Sequence, residues 1–99
     1  MANFGAASGT AERLVPEDCD LFNDREWRAI CDRLELSSRQ AEVVVRVICG
    51  QGDRAIANSL GISCATVRAH LHRVFETLEV NDRVSLLVLV FRVLRSFDR

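Results

Sequence analysis

Apolar residues in this chain recur at three- and four-residue intervals, and no alternation of period two survives more than four residues. That spacing lays a stripe along a helix and leaves no face for a sheet, so the expected fold is all-α. Trp27, Ile30, Cys31 and Leu34 form one stripe, and Val43, Val44, Val47 and Ile48 a second. Ile56, Ala57 and Leu60 give a short third, and Val67, Leu71, Val74 and Leu78 a fourth. From Val84 to Phe97 the chain is apolar almost all round. One Pro and five Gly are too few for an all-β chain that turns every ten residues.

Punctuation between the stripes sets the boundaries. Pro16-Glu17-Asp18 reads as a helix start or a tight turn. Asn23 with Glu26, and Ser37 with Gln40, have capping-box spacing. Gly50 and Gly52 end the second stripe, Gly61 sits where a sharp turn needs positive φ, Ser63 is an N-cap, and Asn81 or Asp82 caps the last helix. Helices are therefore expected at about 24–34, 38–49, 54–60, 64–78 and 82–96. Residues 1–13 read as a disordered arm, 14–36 as an acidic extension carrying the first helix, and 37–99 as the main domain. The pair 54–60 and 64–78, joined by Gly61-Ile62-Ser63, has a helix-turn-helix layout.

Net charge is −1, which on its face argues against a nucleic-acid partner. The charge is segregated, however. Residues 1–36 hold four Arg against eight acids, whereas 37–99 hold nine Arg against six. Residues 63–75 carry Arg68, His70, His72 and Arg73 and no acid, and this stretch lies on the second helix of the pair, the element that enters a major groove in such motifs. All thirteen basic residues are Arg, whose fork matches phosphate and guanine edges. His70 and His72 are two apart on a helix and diverge, so they do not chelate one ion. Cys64 lacks an orienting acid or a second motif, so no catalytic residue, metal or cofactor is expected. Cys19, Cys31, Cys49 and Cys64 form no Cys-x-x-Cys and no secretory signal precedes them. They read as small core hydrophobes in a reduced, bacterial-type cytoplasm. Val84 to Phe91 is too short to span a bilayer, so no membrane association is expected.

Residues 36–87 resemble the LuxR-type (FixJ/GerE) helix-turn-helix family. The matching text is Leu36-Ser37-Ser38-Arg39-Gln40-Ala41-Glu42-Val43, Gly50-Gln51-Gly52-Asp53-Arg54-Ala55-Ile56-Ala57, Gly61-Ile62-Ser63, Thr66-Val67-Arg68-Ala69-His70, and Leu78-Glu79-Val80 with Arg83. The family reads Leu-Thr-Pro-Arg-Glu-x-Glu-Val, Gly-x-Ser-Asn-Lys-Glu-Ile-Ala, Ile-Ser-x-x-Thr-Val-Lys-x-His and Lys-Leu-x-Val-x-x-Arg. Departures are Ser38 for Pro, Ala41 and Ala55 where charges are common, Arg46 for Leu, Gly52 for Ser, Thr77 for Lys and Glu79 for Gly. Gly52 forfeits an N-cap that Asp53 is placed to supply.

The resemblance implies a four-helix reading domain with one extra N-terminal helix, acting as a sequence-specific transcription regulator on double-stranded DNA. The helix from Cys64 would enter the major groove, with Arg68, Ala69 and His72 toward base edges. Arg54, Ser63, Thr66, His70 and Arg73 would hold phosphates. Arg54 and Arg73 stay open to a second reading as ion-pair partners of Asp53 or Glu76, His70 as a helix-packing residue, and Ala69 as a plain helix former. The fourth family helix pairs subunits, which implies a homodimer through Leu86, Leu87, Val90, Phe91 and Leu94 on a palindromic site. Thirty-six preceding residues are too few for a sensor domain, so a stand-alone regulator is expected. The acidic segment is placed to mask the basic helix or to hold a partner, RNA polymerase or a larger regulator. The alternatives are a drifted interaction module that heterodimerises with a larger regulator, favoured by Ala55, Thr77 and Glu79, and a sigma-factor-like promoter reader.

Overall fold

Helix starts in this molecule are made by side chains that take over orphaned N–H groups. The computed structural model describes residues 14–97, so the expected arm at 1–13 lies outside the described residues. These form α1 (Asp24–Leu34), α2 (Ser38–Ile48), α3 (Asp53–Leu60), α4 (Cys64–Leu78) and α5 (Arg83–Ser96), with no strand among the described residues. Asn23 Oδ1 accepts from the Glu26 N–H at 2.8 Å while Glu26 Oε1 accepts from the Asn23 N–H at 2.9 Å, closing a capping box on α1. Ser37 and Gln40 do the same for α2. Ser63 Oγ accepts from the Thr66 N–H at 3.0 Å, and Asp82 Oδ1 from the Ser85 N–H at 2.8 Å. That last hydrogen bond holds the Asp82 carboxyl below its ordinary range.

One start differs from expectation. α3 begins after Gly52 with no side-chain cap, because Asp53 is the first helical residue and its carboxylate is engaged elsewhere. α1 and α4 both end on a glutamate in the left-handed region, Glu35 at φ 58° and Glu79 at φ 60°. Gly61, at φ 69°, makes the sharp turn between α3 and α4 without the Cβ penalty those glutamates carry.

The core gathers Trp27 and Ile30 of α1, Val43, Val44, Val45 and Ile48 of α2, Ile56 and Ala57 of α3, Val67, Leu71 and Val74 of α4, and Leu86, Val90 and Val93 of α5. α2 turns Val45 inward and leaves Val47 half-buried, a shift from the expected stripe. Arg46 stays at the surface side of α2, donating from Nη1 to the Glu42 carbonyl at 3.0 Å. α4 packs on both α2 and α3, and α1 packs on α5. In the extension Pro16 accepts from the Cys19 N–H at 3.0 Å, making the turn that its sequence suggested. Phe22 stacks on Trp27 with ring centroids 5.2 Å apart, and the Arg33 guanidinium lies 5.2 Å over the Phe97 ring, joining α1 to the end of α5.

The cysteine expectation holds for half of the set. Cys31 is a half-buried, inert thiol, pushed up to about 12 by burial and by the adjacent Asp32 charge. Cys64 is also free. Cys19 and Cys49, read from the sequence as two more reduced hydrophobes, instead form a disulfide. Tertiary packing brings their Cα atoms to 5.6 Å across 30 residues of sequence, a pairing no local spacing announces. The bond fastens the extension to the corner where α2 gives way to the helix-turn-helix.

Candidate nucleic-acid interface

α4 is an amphipathic cylinder whose two sides have separate jobs. Val67, Leu71 and Val74 are buried against α2 and α3, which props the helix rigidly. At about 100° per residue the opposite side is then centred on Ala65, Ala69 and Glu76. Arg68 and His72 lie on one flank of it and Thr66 and Arg73 on the other. All seven are exposed, and the two alanines keep the middle of the face low. Ser63 and Thr66 bond each other through their hydroxyls at 2.9 Å. The N–H groups of Cys64 and Ala65 have no intrahelical acceptor, so the start of α4 offers donors and a positive dipole end.

The residues singled out from the sequence do not all behave alike. Arg54 and Arg73 are exposed, and neither makes an ion pair among the described residues. The acids suggested as their partners are taken by others. His72 Nε2 lies 3.2 Å from Glu76 one turn on, a charge pair when the imidazole is protonated. Asp53 receives Arg68 Nη1 at 3.3 Å on one oxygen and Arg83 Nη2 on the other. Burial pushes the Asp53 carboxyl up, but the hydrogen bonds and charges of Arg83 and then Arg68 outweigh it and hold the group below the usual carboxylate range. His70 is half-buried, between its two suggested roles.

On α5 the structure corrects the expected pairing face. Leu86 and Val90 are fully buried in the core of this one chain and so have no surface to give a second copy. Leu87, Phe91 and Leu94 are half-buried, and the apolar side chains most open to solvent are Val84, 69% exposed, and Val88, 48% exposed. The reason is geometric: a helix apolar all round shows no sequence mark of which sides its neighbours take. Asp53 and Arg83 were missed as members of the site, since their contacts span 15 and 30 residues and leave no periodic trace.

The match to known proteins falls on this same region. The model of the bacterial regulatory proteins of the luxR family, GerE, matches residues 34–90, more than half of the chain. The chain belongs to the luxR family. Its helix-turn-helix is thus the DNA-binding domain of a transcription regulator, and α3 and α4 are the motif's two helices. Among luxR-family relatives, YhjB of Escherichia coli K12, named as an HTH-type transcriptional regulator, is 35% identical over 68 residues, which is 64% of this chain and 34% of YhjB. NarL of Mycobacterium tuberculosis H37Rv, named as a transcriptional regulatory protein, is 44% identical over 50 residues, 50% of this chain and 23% of NarL. The chain spans about a quarter to a third of the length of these curated relatives. No solved structure matches it significantly. None of the described helices is long and apolar enough to cross a membrane.

Proposed function

We propose that the chain regulates transcription by laying α4 in the major groove of a palindromic DNA site, as a homodimer. The observation that carries this reading is the open outer face of α4 over a fully buried back. Arg68 is assigned to a guanine edge, Ala69 to a thymine methyl and His72 to a neighbouring base. Arg54, Arg73, Thr66, His70 and Ser63 are assigned to phosphates, where they set register without reading sequence. Val84, Leu87, Val88 and Phe91 are assigned to the partner copy, which would set two reading helices about one turn of DNA apart, roughly 34 Å.

Selection of bound duplexes from a random pool tests the reading directly. An enriched palindrome whose preference relaxes at one position in Arg68→Ala is expected. No enrichment would move the chain to an interaction role, in which the Val84 and Val88 face engages a larger regulator. A dimer neutralising roughly six to eight phosphates should bind with a log–log salt slope of about −5 to −7. A slope near zero would remove the phosphate assignments, and a purely monomeric sedimentation profile on and off DNA would remove the homodimer.

A further inference from the structure

A long guanidinium side chain is a poor reader by default. It loses rotamer freedom when fixed on a base, and the nearest anions on a duplex are phosphates, which carry no sequence. Arg68 is 62% exposed in its side chain, yet it is not at liberty, because Nη1 donates to Asp53 Oδ2 at 3.3 Å. Asp53 itself is fixed. Its side chain is only 24% exposed, it sits in the first turn of α3, and Arg83, the first residue of α5, donates to its other oxygen. Its carboxylate is not spent on its own helix either, since α3 has no side-chain cap. One carboxylate is thus braced from α3 and α5 and turned toward α4.

We propose that Asp53 is a specificity-determining positioning residue: braced by Arg83, it holds Arg68 by one nitrogen so that the rest of the fork meets a guanine edge and not a phosphate. The guanidinium has five N–H donors, so one bond to Asp53 leaves a two-donor edge, the arrangement that matches guanine O6 and N7. The fixed negative charge beside it also disfavours a phosphate in the same place. The family pattern carries the neutral Asn at this position, so the charge is a feature of this chain. The assignment rests on the proposed reading of Arg68, and the experiment separates the two.

Wild type, Asp53→Asn, Arg68→Ala and the double variant of the full chain are titrated with duplexes from the enriched pool carrying each base at the position that Arg68→Ala relaxes, and with a scrambled duplex. Thermal melting confirms folding, and Asp53→Ser replaces Asp53→Asn if the latter does not fold. In Asp53→Asn, preference for guanine is expected to fall about two- to fivefold, the range an exposed ion pair spans. Scrambled-duplex affinity is expected to stay level or rise, and the double variant to match Arg68→Ala, as coupled residues do. Guanine preference unchanged in Asp53→Asn, or a loss that persists in the Arg68→Ala background, overturns the role of Asp53 alone. Arg68→Ala relaxing no position overturns the reading of Arg68 and this assignment with it.

Discussion

α1 and α4 are built by the same local recipe and do different work. Each opens on a hydroxyl or amide cap, buries one stripe, and closes on a left-handed glutamate whose following N–H reaches back to a carbonyl of the last turn. Their settings diverge. α4 lies between α2 and α3 and is held by packing and by Arg68 on Asp53, whereas the segment bearing α1 is fastened at the edge by a disulfide and by Arg33 over Phe97. Their outer faces diverge further. α1 mixes Arg25, Arg28 and Arg33 with Asp32, while α4 shows no acid before Glu76. Helix making is therefore generic in this chain. What sets α1 and α4 apart is which residues face outward and which acid a neighbouring helix places beside them.

The largest test asks whether the two helices share one cooperative unit. Trp27→Ala, about 3–5 kcal/mol, and Leu71→Ala, about 2–5 kcal/mol, should each destabilise a single urea transition. Two separate transitions in either variant would show the cover and the reader to be independent. Next comes the fastening. Closing a loop of 30 residues is worth about 3–4 kcal/mol in the chain-entropy account, so Cys19→Ser or a reductant should lower the unfolding free energy by that much. The reductant should then do nothing more to Cys19→Ser. Glu79→Gly and Glu35→Gly sharpen the shared ending: each should add up to about 1 kcal/mol by relieving a left-handed side chain. An unchanged melting temperature would mean that neither glutamate is strained. The smallest effect is acid sensitivity specific to the reader. Asp53 is held below its unfolded value near 3.9, so its contribution is present above that pH and lost as pH falls through the lower folded value. Between pH 5 and 3, Asp53→Asn should lose less stability than wild type, measured by melting temperature.

Much of this architecture was legible because it is local. Asn23 with Glu26, Ser37 with Gln40, Ser63 and Gly61 act within one turn of themselves, and their spacing is visible in the text of the chain. The stripe of α4 was legible for the same reason, and with it the residues left outside. The disulfide between Cys19 and Cys49, and the junction of Asp53 with Arg68 and Arg83, were not. Each joins residues 15 to 30 positions apart through packing that no period records. α5 failed in a third way. Its all-round apolarity announced two sets of neighbours without saying that Leu86 and Val90 go inward and Val84 and Val88 outward.

The bond from Cys19 to Cys49 encloses all of α1 and α2 in a covalent ring. A protease that cuts once within it, at Arg25, Arg33 or Arg39, opens a loop and frees no fragment. The acidic leader then stays leashed to the reading pair on a nonreducing gel, and only a thiol reagent lets the two pieces part.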